Sequence, residues 1–329
     1  MSRRPSERDQ LALFRAQPGE DMALRDAQDL MAYPFFSLAK SRRTVPIRFE
    51  AGGVSLTVEG VPEHGIATIW DADVLIWAAS QIVQARDEGR PTSRLMVATP
   101  YEILRFAQRG TGQTEYLALR ASLDRLQSTT VLTSIRQAGK RMHRFSWINE
   151  WQEHVRPDGR SDGVELILPD WFYSGVIQEA LVLTLDPTYF QLTGGIERWL
   201  YRLVRKHGGR QRNGWRFDLR HLHLKSGSLQ RYRDFALHLR ALAARQALPG
   251  YRLAIEWSGR TEWLAFRPDP GASDGGDLST APVEEAVDSV GTDSGDHRRK
   301  AREIAGLPIG RSPARTLAQA APAKGLGLP

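Results

Sequence analysis

Cysteine is absent from the 329 residues. That excludes a disulfide scaffold, a cysteine nucleophile, a thiolate zinc site and an iron–sulfur cluster together. No apolar run reaches the ~18 residues a membrane helix needs, so no span is expected. The opening MSRRPSERDQ lacks the apolar core of a signal peptide and reads as a cytoplasmic protein. G-x-x-x-x-G-K-[ST], H-E-x-x-H and G-x-S-x-G are all missing, and the carboxylates form no evident constellation. We therefore expect no cofactor, no resident metal and no enzymatic activity. What is present is ordinary in amount: 41% hydrophobic and 25% charged residues, enough to build a core. The length suggests two domains. A net charge of +7 and a pI near 9.8 make a polyanionic partner plausible.

The charge is unevenly placed. It runs −4 over 46–93, +6 over 94–145, −7 over 146–197 and +12 over 198–252. Interspersed signs would suffice for solubility, so blocks of this kind suggest a field with a direction. Residues 269–296 have no aromatic side chain and are rich in Gly, Ser, Asp and Thr, and a basic HRRKAR follows at 297–302. Such a segment cannot bury enough apolar surface to offset the entropy of ordering, and disorder is expected.

Between these ends one order of elements occurs twice. The first ordered unit is expected to begin near Trp70. Asp71 is placed as the N-cap of a helix whose apolar face holds Leu75, Ile76, Ala79, Ile82 and Val83. A short strand covers Arg94–Ala98. Thr99-Pro100-Tyr101-Glu102 has the form of a capping box with proline at the first helical position. That helix stops at Arg109-Gly110-Thr111-Gly112. The next carries Tyr116, Leu119, Leu123 and Leu126 on one stripe, and segments 129–137 and 140–148 flank Ala138-Gly139 as a hairpin.

The second unit is expected to open with strand 164–168 and a short helix after Pro169. Asp186-Pro187 then starts a long helix bearing Phe190, Ile196, Trp199, Leu200, Leu203 and Val204. A strand at Trp215–Leu219, a helix at Arg220–Lys225 and a tight turn at Ser226-Gly227-Ser228 follow. A helix over 228–246 has Leu229, Tyr232, Phe235, Ala236, Leu239 and Leu242 on one face, and hairpin 251–266 closes the unit. The aromatic residues on these stripes are read as core. Helix, strand, helix, turn, helix, hairpin is the order of a winged helix-turn-helix. The expected fold class is α+β, with two such domains in tandem. The divisions are an N-terminal arm, partly flexible, at 1–45, a first winged-helix domain at 46–155, a second at 156–267, and a disordered tail at 268–329.

An α-helix fits the major groove of B-DNA, where arginine can pair with guanine and glutamine with adenine through two hydrogen bonds. The candidate contacts in the first unit are Gln113, Thr114, Arg120 and Arg125 on its second helix. Arg136, Lys140, Arg141 and Arg144 on the wing are placed for phosphates, which position a protein without reading sequence. In the second unit they are Ser228, Gln230, Arg231 and Arg233. A competing chemistry comes from His221-Leu222-His223 with Tyr232 downstream, as in rolling-circle nickases that hold a metal between two histidines. A dipeptide pattern is weak support for it, and His221 and His223 fall where a helix is expected.

The runs at 33–43, 65–83, 99–137 and 183–207, with LHLKSGSLQRYRDFALHLRALA after them, resemble the plasmid replication initiator protein A family. The likeness covers about 33–267. It implies an initiator that binds repeated double-stranded sites at a plasmid origin and helps open an AT-rich segment. It also implies partners: the host initiator, the replicative helicase, and a second copy of the chain in a homodimer that represses its own promoter. The residues alone deliver a tandem duplex-DNA binder; the alternative is a transcriptional regulator with the same tandem domains, for which no effector domain is evident.

Overall fold

Two helices, Ala72–Asp87 and Gly195–Gly208, are buried along most of their length, and one hydrophobic cluster forms around each. The computed structural model describes residues 6–19, 22–139, 141–157, 161–178, 181–209 and 214–269. The chain enters through α1 (Glu7–Gln10), β1 (Leu13–Arg15), β2 (Arg25–Ala27) and α2 (Gln28–Ala32). Hairpin β3 (Ile47–Ala51) and β4 (Val54–Glu59) precedes the first central helix, α3 (Ala72–Asp87). After it come β5 (Leu95–Ala98), α4 (Pro100–Phe106) and α5 (Gln113–Ser128). Two hairpins follow, β6 (Thr130–Thr133) with β7 (His143–Ser146), and β8 (Glu150–Val155) with β9 (Ser161–Ile167). Then α6 (Asp170–Ile177), β10 (Val182–Thr184) and a 3-10 turn over Pro187–Gln191 lead to the second central helix, α7 (Gly195–Gly208). The chain continues through β11 (Trp215–Asp218), α8 (Leu219–Ser226), α9 (Tyr232–Ala244), β12 (Tyr251–Ser258) and β13 (Thr261–Pro268).

Local signals in the sequence account for several of these boundaries. Thr99 accepts from the Glu102 amide at 3.2 Å and Glu102 accepts from the Thr99 amide at 2.7 Å, so the capping box starts α4 as expected. Asp218 caps α8 through the Arg220 amide at 2.8 Å. Gly227 ends α8 in the left-handed region, φ 57°. Helix α3 is buried on nearly every side, and so is most of α7. Helix α3 is largely apolar, as a helix inside a larger core should be, whereas α7 buries Glu197, Arg198 and Arg202 along with its apolar residues.

Strand pairing is where the structure departs from expectation. The 130–146 hairpin does not flank the strand at 95–98. It extends the β3–β4 hairpin into a sheet of order β3-β4-β6-β7. Strand β5 instead pairs with β9, giving β1-β5-β9-β8, while the second half makes β11-β13-β12. In both halves the strand before the two successive helices therefore pairs with the second strand of a later hairpin, antiparallel. The hairpin in that role is β8–β9 in the first half and β12–β13 in the second. A boundary at 155/156 would cut the first of these hairpins in two, and the strand at 164–168 belongs with the first half.

Three further expectations change. The described residues of 1–45 are not an arm: β2 pairs with β10, and Phe14, Leu24, Leu30, Met31, Phe35 and Phe36 are buried. Gln81 and Ser80 of α3 hold this segment through the backbone of Gln17 and the Arg25 amide. Order thus begins well before Trp70. Asp186 caps only the 3-10 turn, and the long helix starts afresh at Gly195. Helix α9 begins at Tyr232, four residues later than its apolar period suggests, and Leu229 is 63% exposed. Asp71 precedes α3 but makes no side-chain cap. The tail lies outside the described residues from residue 270 onward.

One hydrophobic cluster is built on α3 and the other on α7, and they share boundaries. Leu24, Met31, Ile76 and Ala107 of the first half pack into the second cluster. Phe35, Phe145, Trp147 and Trp171 pack ring against ring in the first. Phe190, Trp199 and Phe235 are buried in the second, so these helical aromatics are core, with Tyr116 and Tyr232 half-buried beside them.

Buried ion pairs tie the two halves together. Arg202 of α7 meets Asp26 through Nε at 2.7 Å and Nη2 at 3.1 Å, both side chains 1% exposed. Arg198 reaches both oxygens of Asp73 at 2.8 and 3.0 Å, and Arg109 adds a third bond to Asp73 at 3.0 Å. Burial pushes both carboxyls above the ordinary aspartate range, and the arginines pull against it. Such pairs add little net stability, but losing one partner strands a buried charge. Buried Arg43 also donates to the Gly227 carbonyl at 2.5 Å, and a Cβ on Gly227 would meet Pro34 at 2.9 Å and Ile47 at 3.0 Å. The turn between α8 and α9 thus rests on the first half.

Candidate nucleic-acid interface

The two halves present the same local construction. A side-chain-capped helix, α4 or α8, leads through a short turn into α5 or α9. Helices α5 and α9 match at a constant offset of 120 residues, which pairs Leu119 with Leu239, Arg120 with Arg240 and Arg125 with Arg245. Leu119 and Leu239 are both buried.

The matched arginines are bound in matched ways. Arg120 grips Glu153 of β8 through Nε at 2.7 Å and Nη2 at 2.9 Å. Arg240 grips Glu262 of β13 at 2.6 and 2.7 Å. In each case the helix is braced to the hairpin of its own half. The hydrogen bond to the glutamate pushes both guanidiniums above the ordinary arginine range. Arg125 binds both oxygens of buried Asp71 at 2.7 Å, and Arg245 pairs with Glu197 near the start of α7. These contacts brace each helix to the leading helix of its half. Arg120 and Arg125, expected at DNA, are therefore structural ties.

The expected first-unit wing dissolves further at Arg136. Its guanidinium lies 3.8 Å from the Trp171 ring centroid, and its Nε meets Asp29 at 3.0 Å. It packs the core edge and is not offered to phosphate. Arg141 and Arg144 are exposed, but on the β6–β7 hairpin and not on β8–β9. Lys140 lies outside the described residues.

The remaining candidates gather at two helix starts. Gln113 and Thr114 are exposed in the first turn of α5. In the second half Ser228 and Gln230 belong to the turn before α9. The Ser228 hydroxyl accepts from the Gln230 amide at 3.2 Å, and His223 Nε2 lies 2.8 Å from the Gln230 carbonyl. Arg231 occupies the N-cap position of α9 and Arg233 its first turn. Both are exposed, and neither makes an ion pair among the described residues. Sequence reasoning missed Arg260, exposed at the tip of β12–β13 beside Trp257, which is 65% exposed. A Ser-Gly-Arg turn between two alternating strands was the available signal for it. It also missed Leu117 and Leu237, which share the outward faces of α5 and α9 and are 54% and 62% exposed.

His221 and His223 both sit on α8. Side chains two apart on a helix diverge, so this pair does not converge on one ion as it would from a strand. His221 stacks on Phe217, and Arg220 lies 4.5 Å from the Tyr232 ring centroid. Among the described residues no group of three or more His, Asp or Glu is arranged to hold a metal ion.

Against this geometry the comparisons with known proteins are specific. The model of the family described as replication initiator protein A matches residues 25–253. The chain belongs to that family. A protein of Wigglesworthia glossinidia brevipalpis named "Putative replication protein" is 28% identical over 228 residues, covering 68% of this chain and 82% of that one. The fold of this family member is similar to crystal structures of domains 2 and 3 of RctB. One has a TM-score of 0.54 at 15% identity, covering 74% of this chain and 98% of the other. A second has a TM-score of 0.50 at 16% identity, covering 73% and 96%. Among the described residues of this family member, no helix is long and apolar enough to cross a membrane.

Proposed function

We propose that the chain initiates replication by binding repeated duplex-DNA sites at an origin through two winged helix-turn-helix units. Their reading helices are α5 and α9, and their wings are β8–β9 and β12–β13. One observation supports the reading: apart from the β6–β7 hairpin inserted in the first half, the same helix, strand, helix, helix and hairpin order occurs twice with the same strand pairing, in a chain of an initiator family. An outward helix face on which Arg231 and Arg233 meet no carboxylate among the described residues suits a polyanion, since phosphates supply most of the attraction in such complexes. Arg233 and Gln113, one in the first turn of each helix, suit guanine and adenine edges. Opening of the origin, engagement of the host initiator and helicase, and a homodimer at the promoter belong to the same proposal through the family. No strand cleavage is part of it.

The test is hydroxyl-radical footprinting of the full chain on DNA flanking its own gene. Two reading helices on one DNA face stand about 34–36 Å apart if each enters a major groove. Each site should therefore show two protected patches one helical turn apart, in several tandem copies. A plasmid carrying that segment should replicate only when the protein is supplied. Protection at a promoter without such dependence would favour the regulator instead. Supercoiled plasmid incubated with the protein and Mg²⁺ should stay uncut; a covalent adduct lost in Tyr232→Phe would establish the nickase.

A further inference from the structure

Each reading helix carries an exposed leucine at the same position. Leu117 and Leu237 stand 120 residues apart, like the braced arginines beside them, and more than half of each is open to solvent. A single exposed leucine needs no explanation. The repeated neighbourhood does. One turn before each leucine is a long polar side chain, Gln113 or Arg233, and one turn after it is an alanine, Ala121 or Ala241. Positions i, i+4 and i+8 share a helix face, so both helices present polar head, leucine and small residue in one row.

We propose that Leu117 and Leu237 are specificity residues that read the C5-methyl groups of thymines in the major groove. This rests on the DNA-binding reading above and adds to it what the helices select. The size of the apolar spot argues for a methyl and against a protein partner. On its own helix Leu237 is flanked by Arg233, Asp234 and Arg240, which pairs with Glu262. A stable protein interface needs about 800 Å² from each side. The thymine methyl is the one apolar group on a base edge in the major groove. Ala121 and Ala241 let the helix backbone approach closely enough for a leucine to reach it. Four residues span about 6 Å of helix. The methyl then lies within about two base-pair steps of the base read by Gln113 or Arg233.

The experiment selects duplexes from a random-sequence library with the full chain, then resynthesises the winners with deoxyuridine in place of thymine. Wild type should bind each deoxyuridine half-site about fourfold more weakly per methyl lost. Leu237→Ala should lose this discrimination in the half-site of α9 only, and Leu117→Ala in that of α5 only. Leu13→Ala, exposed on β1 and on neither helix, should keep the full discrimination. Equal wild-type binding to both DNA forms would overturn the proposal while leaving DNA binding intact. Discrimination that persists in both leucine variants would assign it to DNA shape and also overturn it. A library that yields no enriched duplex would bring down the DNA-binding reading and this inference with it.

Discussion

Helix α5 carries two arginines, Arg120 and Arg125, and carboxylates of the first half bind both. Helix α9 has the same two positions bound, Arg240 and Arg245, but adds Arg231 and Arg233 at its N-terminus, where they meet no carboxylate among the described residues. The two halves thus share one bound pair of arginines and differ in the additional two that α9 leaves without a carboxylate among the described residues. The same lesson applies to the +12 block. Arg198, Arg202 and Lys225 within it are buried, and Arg240 and Arg245 are paired. Much of the acidic and basic alternation along the chain is internal complementarity: Asp73 answers Arg198, Asp71 answers Arg125, and Glu197 answers Arg245. Within α9 and its hairpin, exposed basic charge outside these pairs is left at Arg231, Arg233 and Arg260.

The sharpest test of that comparison sets Arg125→Ala against Arg245→Ala. The first strands Asp71, 1% exposed, and should cost about 3 kcal/mol in urea unfolding. The second removes an arginine that is 57% exposed and should cost under about 1 kcal/mol. Equal losses would mean that the two braces are equivalent after all. Next in size, Arg233→Ala should cost about 1–3 kcal/mol of discrimination at one base pair, measured by binding to single-site DNA variants. Only the α9 half of the footprint should weaken.

Arg231→Ala should act differently from its neighbour. As a phosphate contact it should weaken all sequences alike and reduce the slope of log K against log salt by about 0.9. A change in base preference would move it from positioning to reading. The smallest effect is expected for Arg120→Ala, under about 1 kcal/mol of stability, with the α5 half of the footprint retained. If that half vanished while the protein stayed folded, α5 would be reading DNA through the arginine that the structure ties to Glu153.

Helix starts were legible because their causes are local. Thr99 and Glu102 are three residues apart, Asp218 caps an amide two residues on, and Gly227 adopts a backbone angle that other residues resist. The start of α9 was misplaced because Leu229 continues the apolar period although it lies in the turn. Gln113, Thr114, Arg231 and Arg233 were identifiable as outward-facing residues near helix starts. Arg125 and Arg136 looked alike in sequence and were not, since Asp71 is 54 residues from one and Trp171 is 35 from the other.

By itself the sequence determined the identity and order of the long helices, the absence of cysteine chemistry, and a resemblance that the family match bears out. Each of these depends on residues within a turn or two of one another, or on composition. Only the tertiary structure decided which hairpin lies beside which strand, that β2 closes against β10, and that Asp26 and Asp73 lock α7 to the first half. A β-strand carries its alternation but not the address of its partner, and an arginine carries its charge but not its counterion. Those choices are settled by what the folded chain brings into contact, across 176 positions of sequence in the case of Asp26 and Arg202.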